Sequence, residues 1–205
     1  MTAGERINEI AIIILAAGFS SRLGKPKQLL NYQGQNLLNH AIEIATVSIA
    51  GSVIVVLGSN ATEIEKQIHT DNVYIVFNEN YEEGMASSIR CGLEASQKLP
   101  TPVNAIILML CDQPFVNTSL LNDIIKTHKE TDKAIVSCSY VNTFGPPTLF
   151  HKSIFNELLE LKGDIGARKI IHDHINDTAT IPFEGGEVDI DTEADFQKLI
   201  NKPAQ

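Results

Sequence analysis

Residues 10–30 read IAIIILAAGFSSRLGKPKQLL, and this stretch decides the fold. Its first six residues are all apolar, and such a nearly continuous run is typical of a strand that is buried on both faces of a sheet. Two alanines and a glycine end the run, and a loop with one arginine and two lysines follows. Small residues let a backbone approach a ligand closely, and cations suit a polyanion. The stretch therefore predicts a buried strand followed by an anion-binding loop.

Similar apolar runs recur along the chain and alternate with helical patterns. Further strands are predicted at residues 52–58, 73–77, 105–110 and 134–140. Helices are predicted at residues 36–49, 61–68, 85–99 and 119–130. Strands that alternate with helices predict an α/β fold, in which right-handed crossovers build a parallel sheet.

The regular alternation breaks near residue 141. The segment NTFGPPTLF (142–150) follows without an assigned helix or strand, and two helices are expected at 152–161 and 165–175. A strand pair is predicted around TIPFEGGEVDI (180–190), and a last helix at 192–200. Because no low-complexity linker or internal repeat interrupts the sequence, residues 1–205 are predicted to form a single domain.

Composition excludes some classes of partner. The chain of 205 residues has 16 basic and 25 acidic residues, a net charge of −9, so broad binding to nucleic acid or to a membrane surface is not expected. The first nine residues lack the apolar segment of a signal peptide, and no run is long enough to span a membrane. The three cysteines are widely spaced without a CxxC motif, so we expect reduced thiols in a cytoplasmic protein.

Two common phosphate-binding motifs do not fit the loop. Five residues, 19–23, separate Gly18 from Gly24 and Lys25, whereas a Walker loop has four, and Pro26 stands where that loop needs a serine or threonine. The dinucleotide pattern G-x-G-x-x-G is absent as well. What remains is a small-residue turn followed by three cations. These suit a triphosphate and the charge that develops when its α-phosphorus is attacked.

Polar residues follow the ends of the predicted strands, where open α/β sheets bind their ligands. Asp112 comes directly after a very apolar strand, and a buried carboxylate is costly unless it is hydrogen-bonded or bound to a cation. Mg²⁺ typically uses one or two carboxylates together with substrate phosphates. Asp189 and Asp191 are two residues apart, so they point to the same side of an extended segment, and either is a candidate second ligand.

The loop LAAGFSSRLGKPKQLL (15–30) resembles the signature of MobA-like nucleotidyltransferases, in which LAAG or LAGG leads to S-x-R-x-G-x-x-K. Four later segments resemble, in order, those of the molybdenum cofactor cytidylyltransferase branch. They are GMASSIRCGL (84–93), CDQP (111–114), FGPPTLFHKSIFNELLELKGDIGARKII (144–171) and VDIDTEADF (188–196). The resemblance implies a Rossmann-like three-layer sandwich of the nucleotide-diphospho-sugar transferase type, with a mostly parallel sheet and helices on both faces.

The resemblance also implies a reaction. CMP is transferred from CTP to the phosphate of molybdopterin, with Mg²⁺ as the cofactor and pyrophosphate as the leaving group. Residues 1–115 would bind the nucleotide and residues 116–205 the acceptor. In this family LAAG accompanies cytosine and LAGG guanine, so Ala17 favours CTP. A molybdoenzyme that receives the product is a further expected partner.

Roles are carried over by position. Arg22 and Lys27 are the expected catalytic residues, holding the triphosphate and stabilising the transition state. The expected nucleotide-binding residues are Leu15, Ala16, Ala17, Gly18, Lys27, Gly84, Ser87 and Ser88. The expected acceptor-binding residues are Gly145, Pro146 and Arg168, and the expected metal ligands are Asp112, Asp191 and Asp189.

Simpler interpretations stay open for several of these residues. Arg22, Lys25 and Lys27 could be solvated loop residues, and Asp112 could hydrogen-bond the backbone of a turn. Asp189 or Asp191 could cap the helix that starts near residue 192, and the two serines could be polar residues at a helix start. At the level of function, two alternatives remain: a related cytidylyl- or guanylyltransferase with another phosphorylated acceptor, or a non-catalytic protein that handles a nucleotide or cofactor.

Overall fold

The computed structural model describes residues 6–20, 23–141, 143–190 and 192–200. The strands in this part of the chain are β1 (Ile7–Ala16), β2 (Asn31–Tyr32), β3 (Gln35–Asn36), β4 (Ala50–Leu57), β5 (Tyr74–Phe77), β6 (Ala105–Leu110), β7 (Ile135–Tyr140), β8 (Thr143–His151) and β9 (Thr178–Pro182). The helices are α1 (Leu37–Val47), α2 (Ala61–Glu65), α3 (Met85–Ser96), α4 (Thr118–Thr131), α5 (Phe155–Leu159), α6 (Arg168–Asp173) and α7 (Glu193–Ile200). None of these helices is long and apolar enough to cross a membrane.

The main sheet has the strand order β5-β4-β1-β6-β8-β7-β9, and β2 and β3 form a separate hairpin. β1 pairs in parallel with β4 on one side and with β6 on the other, which explains why its apolar run is continuous. β5 is parallel to β4 and β9 is parallel to β7, whereas β8 is antiparallel to both of its neighbours. The sheet is therefore mostly parallel, as the sequence predicts.

Alternate residues of β1 face two different layers of helices. Ile12 and Ile14 belong to an apolar cluster that also contains buried residues of α1 and α4. Ile13 and Leu15 belong to a second cluster, which contains residues of α3, α5 and α6. Because successive side chains of a strand point to opposite faces, the sheet is covered on both sides. This arrangement confirms the predicted three-layer α/β sandwich.

A smaller third cluster joins the last helix to the hairpin. Phe196 and Leu199 of α7 are buried together with Leu30, Tyr32 and Leu37. Leu30 directly follows the loop that leaves β1, so α7 packs against the far end of that loop. The C-terminal segment therefore stabilises the region from which the predicted anion-binding cations project.

The segment after residue 141, to which the sequence pattern assigns no helix or strand, contains most of β8 in the structure. Ser137 lies opposite Thr148 and Cys138 lies opposite Gly145, so the two prolines between Gly145 and Thr148 form a bulge in the strand. Proline cannot donate a hydrogen bond to a neighbouring strand, and two adjacent prolines argue against a strand in sequence analysis. The bulge places both of them outside the regular pairing.

The predicted strand pair within residues 180–190 is wrong in part. β9 ends at Pro182, and the described residues that follow form a turn rather than a second strand. In this turn the N–H of Gly186 donates to the carbonyl oxygen of Phe183 at 3.3 Å, and Gly185 has a φ of +86°. The alternation of the sequence here suits a hairpin, but the residues after the turn run towards Asp112 instead of back along β9.

Candidate functional site

A cavity of about 530 Å³ lies where β1 and β6 end, and we call it the loop cavity. Eight of the residues singled out in the sequence line it: Leu15, Ala16, Ala17, Gly18, Lys27, Gly84, Ser88 and Asp112. They come from the loop after β1, the start of α3 and the residues just after β6. The structure therefore brings these segments together at the carboxyl edge of the parallel strands, where α/β sheets bind ligands.

Lys27 and Asp112 form an ion pair in the loop cavity. Lys27 Nζ donates to Asp112 Oδ2, and the two side chains are only 19% and 8% exposed. The backbone N–H of Lys27 donates to Ser20 Oγ at 2.9 Å, which fixes the end of the loop. Asp112 Oδ1 is buried and has no hydrogen-bond partner among the described residues. A buried carboxylate oxygen in this state is suited to accept a donor or a cation from a ligand.

Gln28 fixes the turn that follows β1. Its Nε2 donates to the carbonyl oxygens of Ala16 at 2.7 Å and Gly18 at 3.2 Å, and the residue is only 1% exposed. Buried carbonyl groups need such partners, so this amide determines how the small-residue turn is shaped. Gln28 is not among the predicted site residues, because a neutral side chain between charged loop residues carries no pattern of its own.

Asn78 connects the end of β5 with the start of α3. Its Nδ2 donates to Ser87 Oγ at 2.8 Å and to Ser88 Oγ at 3.0 Å. Ser87 Oγ in turn donates to the carbonyl oxygen of Gly84 at 2.8 Å. Ser88 lines the loop cavity, whereas Ser87 is buried in this network. The hydrogen bond from Ser87 to Gly84 fits the simpler interpretation of a polar residue at a helix start.

A second cavity of about 420 Å³ adjoins the first, and we call it the β8 cavity. The three predicted acceptor-binding residues, Gly145, Pro146 and Arg168, all line it. Arg168 is exposed, and its Nε donates to the carbonyl oxygen of Phe144 at 3.1 Å. A Cβ at Gly145 would run into Tyr140 Oη, so a larger residue here would require the tyrosine side chain to move.

The lining of the β8 cavity combines an apolar wall with a few polar groups. Leu108 and Phe150 belong to the apolar part, and Tyr140 and Asp189 belong to the polar part. Burial is the main cause that raises the pKa of Tyr140, the nearby charge of Asp189 adds to the rise, and Arg168 opposes it. Tyr140 is therefore a neutral hydroxyl group near physiological pH. Such a cavity suits a largely apolar ring system that also carries hydrogen-bonding groups.

The two cavities share a wall formed by Leu15, Met85, Leu110 and Asp164. Gly84 explains how the turn that carries Asp164 comes so close. A Cβ at Gly84 would collide with the Asp164 side chain and would lie 2.6 Å from the carbonyl carbon of Gly163. This close approach, at a φ of +101°, requires glycine. Molecules bound in the two cavities would therefore be direct neighbours.

Two of the predicted metal ligands line different cavities that adjoin each other. Asp189 lines the β8 cavity, whereas Asp112 lines the loop cavity. The N–H of Ile190 donates to the carbonyl oxygen of Asp112 at 3.2 Å, so the segment after Asp189 lies beside Asp112. Asp191 and Arg22 lie outside the described residues, and their roles stay predictions.

Within the described part of the chain, no group of three or more His, Cys, Asp or Glu side chains could hold a metal ion. A metal at Asp112 would therefore depend on few protein ligands and on ligand oxygens. This is the way in which Mg²⁺ is usually bound beside phosphates. The buried Oδ1 of Asp112 fits that donor set.

Lys25 points away from both cavities. Its Nζ lies 3.3 Å from Glu193 Oε2 and 5.8 Å from the centre of the Phe196 ring, and its side chain is 53% exposed. The structure therefore supports the simpler interpretation of Lys25 as an exposed loop residue. Of the loop cations, Lys27 is the one that the structure describes inside the loop cavity.

Several residues that line the cavities are not among the predicted site residues. Phe19, Tyr81 and Glu82 line the loop cavity, and Gln113 lines the β8 cavity. These residues follow the ends of strands, so the only available signal was their position in the predicted topology.

The structure is a three-layer α/β sandwich with a cationic loop after its central strand and a carboxylate after the neighbouring strand. These features are typical of the class of nucleotidyltransferase domains. Residues 12–179 match the MobA-like NTP transferase domain, and the chain belongs to this family. The family assignment confirms the one that the loop and the later segments predict.

Relatives similar over nearly the whole chain carry different names. The chain is 25% identical over 193 residues to the molybdenum cofactor cytidylyltransferase of Escherichia coli strain K12, covering 93% of this chain and 95% of that protein. It is 29% identical over 199 residues to the nicotine blue oxidoreductase of Paenarthrobacter nicotinovorans, covering 92% and 95%. The solved structure of Rv0371c from Mycobacterium tuberculosis H37Rv in complex with manganese has a TM-score of 0.80 and 28% identity, covering 95% and 100%.

Proposed function

We propose that this protein transfers CMP from CTP to the phosphate group of molybdopterin and releases pyrophosphate. The observation that carries the proposal is the pair of adjoining cavities. One contains a lysine and a carboxylate beside the family's signature loop, and the other contains Arg168 and an apolar wall. Two cavities that share a wall suit the joining of two substrates, because proximity and orientation lower the barrier to such a reaction.

The proposed reaction needs no protein nucleophile. An oxygen of the acceptor phosphate attacks the α-phosphorus of CTP, and a new P–O bond forms. The bond from the α-phosphorus to the oxygen bridging to the β-phosphate breaks, and pyrophosphate leaves with the electron pair. Lys27 and Arg22 hold the triphosphate and stabilise the charge that develops on it. The turn at residues 15–18, with Gly84 and Ser88, contacts the nucleotide, and Ser87 supports Gly84.

A divalent cation, Mg²⁺ in this proposal, would be held by Asp112 and by either Asp189 or Asp191. When bound there, it would neutralise charge on the triphosphate and align the reacting groups. The buried, unpartnered Oδ1 of Asp112 supports this role. The manganese in the structure of the related Rv0371c also supports a divalent metal. The alternative in which Asp112 only hydrogen-bonds the backbone of a turn does not explain why its carboxylate lines a cavity.

CTP is the proposed nucleotide. It is supported by Ala17 in the LAAG turn and by the relative that is named a cytidylyltransferase. Ala17 lines the loop cavity but is only 4% exposed, and its methyl group is what a Cβ at Gly58 would meet at 2.8 Å. The methyl group therefore packs towards Gly58. We infer that it influences the choice of base through the position of the turn backbone.

Molybdopterin is the proposed acceptor, bound in the β8 cavity by Gly145, Pro146 and Arg168. Arg168 supplies a cation for the acceptor phosphate, and the apolar wall suits a flat ring system. In this arrangement residues 1–115 supply most of the nucleotide site and residues 116–205 most of the acceptor site. A molybdoenzyme that takes up the product is part of the proposal.

The experiment is an incubation of the protein with Mg²⁺, molybdopterin cofactor and each NTP in turn, with pyrophosphate as the measured product. We expect release with CTP that requires the acceptor, and little release by an Asp112→Asn control. If pyrophosphate is released with GTP and not with CTP, the proposed nucleotide is wrong. If it is released only with a different phosphorylated acceptor, the proposed acceptor is wrong. No release with any NTP and acceptor would overturn the transferase proposal. The relative named an oxidoreductase makes this readout decisive, because an oxidation or reduction releases no pyrophosphate.

A further inference from the structure

We propose that Lys27 is an internal counter-ion that occupies Asp112 until metal and nucleotide arrive together. In this arrangement the protein binds the free metal weakly, and metal and nucleotide bind cooperatively. The inference rests on the proposed function, because it takes Asp112 as a metal ligand and a nucleoside triphosphate as the ligand of the loop cavity. It adds that the same lysine first blocks the metal ligand and then binds the triphosphate.

The ion pair between Lys27 and Asp112 is held in place by the backbone of both residues. Lys27 is fixed through its backbone N–H by Ser20 Oγ, and the backbone oxygen of Asp112 accepts from the N–H of Ile190. The two side chains are largely removed from water. Exposed ion pairs contribute little, whereas removal of one partner from a buried pair leaves an uncompensated charge. Asp112 is therefore stabilised by Lys27 as long as no other cation is bound.

The charges around the pair come from the lining of the loop cavity. Among the described residues that line the loop cavity, Lys27 is the only cation, and Glu82, Asp112 and Asp164 are the carboxylates. Without Lys27 the described lining would carry acidic groups alone. Such a cavity would attract a free divalent cation and repel a triphosphate. Lys27 offsets one of these three negative charges, so it weakens the attraction for a free divalent cation and the repulsion of a triphosphate.

A metal ion at Asp112 would lie beside Lys27. A divalent cation that binds Asp112 shares one carboxylate with the ammonium group of Lys27, which pairs with Oδ2, and the two cations repel each other at this short range. A triphosphate removes the conflict, because its oxygens accept the displaced ammonium group and bind the metal. Each ligand therefore improves the binding of the other, and the coupling must be equal in both directions.

The test uses Mn²⁺ and CTP as probes. Binding of free Mn²⁺ is followed by the electron paramagnetic resonance signal of the unbound ion, and binding of CTP by calorimetry with and without Mn²⁺. We expect the wild type to bind Mn²⁺ weakly in the absence of CTP. Its affinity for CTP should be higher with Mn²⁺ than without it, by a factor in the usual range of such couplings, about 5 to 150. In Lys27→Met, free Mn²⁺ should bind about tenfold more tightly, and CTP should gain much less from the metal.

Two matched variants control the experiment. Lys25→Met removes the same charge from the same loop outside the cavity and should behave like the wild type. Lys27→Arg keeps a cation beside Asp112 and should keep the weak binding of free Mn²⁺. If Lys27→Met folds poorly, the second readout is thermal unfolding, in which Mn²⁺ alone should stabilise the variant more than the wild type.

The outcomes separate this inference from the proposed function. If Lys27→Met binds free Mn²⁺ as weakly as the wild type, the counter-ion role is overturned, while pyrophosphate release by the wild type would still support the transferase. If Asp112→Asn binds Mn²⁺ as well as the wild type, Asp112 is not a ligand, and the counter-ion role is overturned together with the proposed metal site. If the couplings are as expected but no acceptor yields pyrophosphate, the counter-ion role stands and the transfer reaction does not.

Discussion

At the level of single residues, Lys27 allows a direct test of the proposed chemistry. Lys27→Ala removes a charge-assisted contact to the triphosphate in the transition state, and we expect kcat to fall on the order of 10²-fold or more. Pyrophosphate release under saturating substrates measures the effect. Lys25→Ala is the control, since Lys25 pairs with Glu193 outside the cavity and should keep wild-type turnover. A folded Lys27→Ala protein with wild-type kcat would contradict the catalytic role.

The charge of Asp112 should determine how much Mg²⁺ the proposed reaction requires. Asp112→Asn keeps the size of the side chain but removes the charge that would attract Mg²⁺, so activity should fall sharply and require more Mg²⁺ for half of its maximum. The measurement is a Mg²⁺ titration of pyrophosphate release. The hydrogen bond from Ile190 uses the backbone of Asp112, so the fold around the site should persist in the variant. An unchanged Mg²⁺ titration would remove Asp112 from the metal site.

The three thiols should differ in reactivity. Cys111 and Cys138 are buried, and burial raises the pKa of each thiol to about 12, with the charge of Asp112 adding to the rise at Cys111. Burial also raises the pKa of the Cys91 thiol, but Cys91 is partly exposed and can be reached by a reagent. Because the thiolate is the reactive form, a thiol reagent at pH 8 should label one cysteine of the folded protein and all three in denaturant. Labelling of a folded Cys91→Ser variant would contradict this prediction.

At the level of elements, the approach of the 161–167 turn to the start of α3 is the feature that brings the cavities together. The N–H of Ala86 donates to the carbonyl oxygen of Gly163 at 3.0 Å, and Gly84 leaves room for Asp164. Gly84→Ala should push this turn away, raise KM for both substrates and lower stability by about 1–3 kcal/mol. Steady-state kinetics and urea unfolding measure the two effects.

Gly163→Ala is the matched control for that prediction. Gly163 also has a positive φ, +64°, but a Cβ there would meet nothing within 4 Å. Gly163→Ala therefore introduces a side chain at a positive φ, which strains the backbone, but it causes no collision with a neighbouring residue. If both variants change KM and stability equally, the close approach at Gly84 has no role of its own.

Regular elements could be predicted from the sequence, whereas elements that depend on distant contacts could not. β1 and β6 are long apolar runs, so their pattern alone indicates buried strands, and Asp112 is placed correctly because it ends such a run. β8 contains two adjacent prolines, and only its pairing with β7 makes it a strand. Gln28 is similar, since its role depends on carbonyl groups ten and twelve residues away.

At the level of the whole molecule, stability should fall at alkaline pH. The pKa of Cys111 and of Cys138 rises from 9.0 to about 12, because burial favours the neutral thiol. A group with a raised pKa in the folded state contributes stability that is fully present below its unfolded pKa. That contribution is lost as the pH rises from about 9 towards about 12. Urea unfolding between pH 8 and 11 measures the loss, and Cys138→Val should make it less steep; an unchanged slope would contradict the prediction.

The wall shared by Leu15, Met85, Leu110 and Asp164 has a consequence for the end of the reaction. In the proposed reaction, a dinucleotide product would extend across that wall and would keep the contacts of its CMP part on one side and of its acceptor part on the other. Because it is one molecule, it loses translational freedom only once on binding, whereas the two substrates lose it twice. The product should therefore dissociate slowly and inhibit the enzyme that made it. Turnover would then be limited by the removal of product, and a protein that takes the product directly from the open side would accelerate the cycle.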